Sequence, residues 1–146
     1  MKSVLFVLYT LFLVGCNTTT QQTNPNAAIE GTWELIGFYN YQNNKVVDSF
    51  VPIKGYKQVK MYSKSKVMWS KNVPGDSTDW FGYGIYEISG DTLIEVLDYG
   101  SQMMKKIIDQ KEKFVYELFI DKNNFTQIEI DPEGNRIYAE NYKRIE

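Results

Sequence analysis

The chemistry open to this chain is limited first by the side chains it lacks. Its 146 residues contain no histidine and one cysteine, Cys16. A histidine-based triad, a Cys–His pair and an ordinary zinc site are therefore ruled out. What remains is carboxylate chemistry, in which two acids roughly 5–10 Å apart flank the bond to be broken. Glu34, Glu87, Glu95 and Glu117 lie on segments read below as strands, where some could point inward. The plainer reading leaves them solvated or paired with lysine. Asp121-Lys122-Asn123-Asn124 and Asp131-Pro132-Glu133-Gly134-Asn135 resemble fragments of calcium loops, but the full spacing with a terminal Glu is missing. Both read better as hairpin turns, and no metal or cofactor is expected.

The aromatic side chains offer more. There are 11 Tyr, 8 Phe and 3 Trp. Tyr39, Tyr41, Tyr56, Tyr62, Trp69 and Tyr83 fall on strand segments and would give an interior flat apolar faces with polar rims. Such a surface suits an amphipathic or ring-bearing ligand. Met103 and Met104, with Ile107 and Ile108, would form a lid over it or a plug within it. The competing reading is that all these side chains fill the interior with no ligand. Net charge is −2, and becomes one unit more negative if Lys2 is lost with a leader. A nucleic-acid partner is not expected, because no basic patch is available to displace phosphate counterions.

Positioning these groups falls to one small domain. Met1-Lys2-Ser3 carries one positive charge, and Val4 to Val14 is almost wholly apolar. That run is too short to span a bilayer, which needs about twenty residues, and has the proportions of a signal peptide. Leu13-Val14-Gly15-Cys16 closes it and resembles a bacterial lipobox. The resemblance implies cleavage before Cys16 and lipid attachment to it, so residues 1–15 are expected to be a lipoprotein signal and the membrane a partner through the anchor. Residue 17 is Asn rather than Asp and no acidic run follows, which by the same resemblance favours an outer-membrane anchor with the domain facing the periplasm. Residues 16–28 read as a polar, flexible tether.

Residues 29–146 read as a run of strands: Thr32 to Tyr41, Lys45 to Val51, Tyr56 to Tyr62, Lys66 to Lys71, Trp80 to Ser89, Thr92 to Tyr99, Lys113 to Asp121, Phe125 to Asp131 and Arg136 to Arg144. Alternating or apolar runs bounded by Gly, Pro, Asn and Asp carry this reading. Alternation in the first strand puts Trp33, Leu35, Gly37, Tyr39 and Tyr41 on one face. Met103, Met104, Ile107 and Ile108 sit at helical spacing after a potential cap at Ser101, favouring a short helix near 101–109 over a strand through Lys105 to Asp109. Eight or nine strands joined by short turns predict an all-β, antiparallel up-and-down barrel, whose closure removes exposed edges.

Three segments carry a family resemblance. Ile29-Glu30-Gly31-Thr32-Trp33-Glu34-Leu35 resembles the Gly-x-Trp opening of lipocalin-like (calycin) barrels. Gly82 to Ile88 with Gly90 to Glu95, and Glu140 to Ile145, resemble the middle and the closing strand of small lipocalin-like lipoproteins of Bacteroides-type bacteria, several known only as domains of unknown function. The resemblance implies a barrel closed at one end with a pocket at the other, and Trp33 packed against Arg144. The typical second and third lipocalin motifs are not evident, which argues against a deep cavity. The expected function is a non-enzymatic envelope lipoprotein binding a small hydrophobic or amphipathic ligand. The alternative is a filled barrel acting as an interaction or inhibitor module, with Asn72 to Trp80 as its contact loop.

Overall fold

A computed structural model describes residues 28–146. The signal segment, Cys16 and all of the tether except Ala28 lie outside the described residues. Nine strands alternate with tight turns: β1 (Gly31–Gln42), β2 (Lys45–Phe50), β3 (Lys57–Tyr62), β4 (Lys66–Asn72), β5 (Trp80–Ser89), β6 (Thr92–Gly100), β7 (Phe114–Ile120), β8 (Asn124–Ile130) and β9 (Arg136–Arg144). One helix, α1 (Gln102–Ile108), separates β6 from β7. Consecutive strands from β3 to β9 pair antiparallel, and β9 pairs back onto β1. The other edge of β1 is shared end to end by β3, opposite Gly31 to Glu34, and β2, opposite Phe38 to Gln42. The ring therefore closes as an all-β, up-and-down barrel whose second staple is one strand broken in two. Pro52 lies in the break, where a residue that cannot donate to a ladder is tolerated.

Local chemistry sets the turns. Asn43 and Asn44 both have positive φ, the geometry of a two-residue turn whose twist matches the flanking strands. Ser101 caps α1 by accepting from the Met104 amide at 3.3 Å. A helix rather than a strand therefore occupies this span.

The lower half of the barrel is a packed aromatic core. Trp33 meets Phe125 edge-on at 4.9 Å between centroids, and Phe125 stacks on Tyr142 at 4.5 Å. Ile29, Trp33, Val67, Leu93 and Tyr142 are fully enclosed; each such apolar side chain contributes roughly 1.5–3 kcal/mol by leaving water. Arg144 closes this end. Its guanidinium lies 3.9 Å from the Trp33 ring and donates to the carbonyls of Lys122, Glu30 and Ala28 at 2.5–2.7 Å. The Trp33–Arg144 pairing implied by the resemblance is present.

One inward face departs from simple alternation. Against β9, Leu35 is opposite Tyr142 while Gly37 is opposite Asn141, so Ile36 is an extra, bulged residue. The bulge reverses the phase: Phe38 turns inward and Tyr39 and Tyr41 turn outward. The expected single face from Trp33 to Tyr41 is corrected accordingly.

Candidate functional site

At the end opposite Arg144 the barrel interior is not filled. A cavity of about 110 Å³ lies beneath α1 and opens between the strand ends. Every second residue of β3 points into the barrel, and at this level they are Gln58 and Lys60, with Tyr62 below. Trp69 and Lys71 reach in from β4, Glu95 and Leu97 from β6, and Phe114 and Tyr116 from β7. Gln127 of β8 and Glu140 of β9 complete the wall, and Met104 of α1 covers it. The cavity therefore has an apolar upper rim, made by Trp69, Leu97, Met104 and Phe114, and a polar floor.

The floor is one connected hydrogen-bond network. Lys60 and Glu95 are 3% and 2% exposed, and Lys60 Nζ donates to Glu95 Oε1 at 2.7 Å and to Gln127 Oε1 at 2.8 Å. The Tyr62 hydroxyl also donates to Glu95 Oε1. Gln127 donates to Glu140 at 2.9 Å, as do Tyr142 at 2.7 Å and Gln58 at 3.2 Å. Gln58 also donates to the Tyr142 hydroxyl at 2.6 Å and accepts from that of Tyr56 at 2.6 Å. The Lys60 ammonium lies within 6.0 Å of the rings of Tyr62, Tyr116 and Tyr142. Burying an ion pair is costly unless its remaining valences are met. Here lysine is compensated by a carboxylate, an amide and three aromatic faces. Burial, reinforced by Glu95 and Glu140, holds the hydroxyls of Tyr62, Tyr116 and Tyr142 well above the usual tyrosine range. They remain protonated donors.

Of the candidate ligand-binding residues singled out by sequence, Trp69 and Met104 line the cavity, Tyr62 lies in its floor network, and Tyr56 joins the same network through Gln58. Tyr39, Tyr41, Tyr83 and Met103 do not. Tyr39 is on the outer surface because of the Ile36 bulge, and Tyr41 faces Arg136 there. Tyr83 packs against Tyr99 on the outside, since the inward positions of β5 are Gly82 and Gly84. Met103 lies on the solvent side of α1, near Ser77 and Thr78.

Among the acids, only Glu95 of the original four points inward. Glu34 pairs with Lys57 at 3.5 Å on the surface, and Glu87 is exposed. Glu117 is held by a bidentate Arg136 at 2.6 Å, which pulls its carboxyl below the usual range. Asp121 and Asp131 accept the amides of their own turns, as hairpin residues do. Among the described residues no cluster of His, Cys, Asp or Glu is placed to hold a metal.

Sequence reasoning missed Gln58, Lys60, Gln127 and Glu140. The available signal was period-two spacing: Gln58 and Lys60 share the inward phase with Tyr62, Gln127 with Phe125, and Glu140 with Tyr142. Polar residues in a core phase imply a buried network.

No protein-family model matches the chain, and no curated protein matches it. Among solved structures, it is similar to an uncharacterized protein from Bacteroides eggerthii, whose crystal structure was determined at 2.60 Å. The two share 12% identity with a TM-score of 0.50, over 79% of this chain and 98% of that one. At that identity the likeness shows the fold alone.

Proposed function

We propose that this protein is a lipid-anchored envelope protein whose barrel holds one small amphipathic molecule at its mouth, as a lipocalin-like binding module. The observation that supports this is the cavity itself, with Trp69, Leu97, Met104 and Phe114 above and Lys60, Glu95 and Gln127 below. Small-molecule sites combine apolar walls with a few placed polar groups in this way. Of the ligands expected from sequence, the polar floor favours an amphipathic one over a purely hydrophobic one. A long acyl chain along the barrel axis would have to displace Trp33, Phe125 and Tyr142. Glu95 and Glu140 share the cavity, but each already accepts bonds from neighbouring donors, which supports binding over proton transfer. The anchor rests on Lys2, the apolar run and Leu13 to Cys16, and outer-membrane placement on Asn17.

The test is ¹⁵N NMR of residues 28–146 titrated with small charged, polar and apolar molecules. Saturable movement of the Trp69 indole N–H resonance is expected, with the enclosed Trp33 indole unmoved. A panel that leaves Trp69 unmoved would contradict the proposal.

The exposed side chains of Val46, Val47, Phe50, Val51 and Ile53 favour a second reading, an interaction module that recruits a protein partner. On that reading the loop before Trp80 joins the contact, its Asp76 accepting from the Thr78 amide and the Trp80 indole. Pull-down from envelope extracts with and without residues 73–79 separates the two; retention unaffected by the deletion counts against a role for the loop.

A further inference from the structure

The class of molecule suited to the mouth cavity follows from the valences left open there, and rests on the binding role proposed above. Glu95 is 2% exposed, and both bonds its carboxylate accepts fall on Oε1. Oε2 has no donor among the described residues. No fully enclosed side-chain oxygen there lacks a partner, so Oε2 faces the cavity. The Tyr116 hydroxyl likewise has no partner among the described residues, and Tyr116 lines the same space. Lys60 Nζ uses two of its three N–H donors on Glu95 and Gln127. The floor thus presents one acceptor, one hydroxyl able to do either, and one donor.

Charge narrows the class. Lys60 and Lys71 are matched by Glu95 and Glu140, so the cavity carries no net sign. An anion drawn to the lysines would be held off by the two carboxylates, and an ammonium would meet the reverse. Either would also lose hydration without a free counter-charge. A neutral molecule is favoured, with hydroxyls to give to Glu95 and to receive from Lys60 and Tyr116. The apolar rim asks for a flat carbon face, which Trp69 and Phe114 can cover. Size limits how much of the molecule enters: about 110 Å³ is below the roughly 150 Å³ that encloses one benzene, so a larger polyhydroxylated ring seats one edge in the cavity and leaves the rest outside its mouth. We infer that the site takes a single neutral, polyhydroxylated ring, a pyranose or cyclitol unit, with hydroxyls on Glu95, Lys60 and Tyr116 and its carbon face on Trp69.

The experiment is ¹⁵N NMR of residues 28–146, which close into a barrel with its own core. The probes are methyl β-glucopyranoside, methyl β-galactopyranoside, N-acetylglucosamine and myo-inositol, compared with hexylamine, hexanoate and cyclohexanol. At least one neutral polyol is expected to move the Trp69 indole resonance saturably. Tyr116→Phe removes a hydroxyl with no partner among the described residues, so it should weaken that binding about fivefold with Tm unchanged. Movement by hexylamine, hexanoate or cyclohexanol alone overturns the assigned class while leaving the binding role standing. Movement by none of the seven overturns both. Polyol binding equal in Tyr116→Phe and wild type overturns the placement of the hydroxyls.

Discussion

Lys60 and Glu95 show how one buried pair can organise a barrel interior. Removing lysine alone would strand a carboxylate that is almost wholly enclosed. Lys60→Met is expected to cost about 3–5 kcal/mol, read as a shift in the urea midpoint, whereas Lys60→Met combined with Glu95→Leu recovers most of the loss. A single variant as stable as wild type would show that the pair is not buried as described. The tyrosines around it make a separate prediction for pH. Tyr56 and Tyr86 are pushed up to about 12, mainly by burial, and Tyr62, Tyr116 and Tyr142 are also held well above 10. Above pH 10 the unfolded chain releases phenolic protons that the folded chain keeps. This contribution to stability is complete below pH 10 and is lost as pH rises towards 12 and beyond. Urea midpoints at pH 8, 10 and 11 should therefore fall across the last step; a midpoint unchanged between pH 10 and 11 would contradict the assignment. At this scale the sequence was only partly legible. Trp69 and Met104 were identified as lining residues because aromatic and sulfur side chains in strands and amphipathic helices favour interiors. Lys60, Gln58, Gln127 and Glu140 were not, because single polar residues in a core phase look like surface residues until the strand register is known.

Register is a property of elements, and here glycine and bulges control it. Gly84 is opposite Leu97 just after a shift in which Asp98 is the extra residue, and a methyl at Gly84 would meet the Val96 carbonyl oxygen and, at 2.6 Å, Leu97 Cα. Neither backbone group can move without opening the β5–β6 ladder. Gly84→Ala should therefore destabilise by about 3 kcal/mol or more. Gly90 also resists replacement, but for a different reason: its φ is +63° and the space around it is empty, so Gly90→Ala should cost only about 1–2 kcal/mol. Thermal unfolding that ranked the two substitutions in the opposite order would contradict this account of strand packing. The turns at Asn43-Asn44 and Gly90-Asp91 are legible in the sequence as Asn, Gly and Asp bounding the strand runs. The Ile36 bulge gave no such signal. Ile36 is an ordinary strand residue, and its displacement arises only from pairing with β9, so Tyr39 and Tyr41 were placed on the wrong face.

For the molecule as a whole, closure explains why the strand order could be read so directly. Short turns make most neighbours in sequence neighbours in space, and among the described strands the pairings beyond these are β1 with β3, across β2, and β1 with β9, which closes the ring. The barrel is packed at the Arg144 end and open at the α1 end, a polarity that alternation alone does not reveal. On the proposed anchoring, Cys16→Ser should move the protein from the detergent phase to the aqueous phase in a Triton X-114 partition and remove the mass of the attached lipid. An unchanged partition would sink the lipoprotein reading while leaving the barrel intact. The central claim is that the mouth cavity is a ligand site rather than a packing gap. Its most direct test is native mass spectrometry of residues 28–146 purified without detergent from a bacterial host. One small molecule bound per chain, released on denaturation and absent from Trp69→Ala, is the expected result. A mass equal to that of the bare chain, unchanged on adding a small-molecule extract of the same cells, would contradict it.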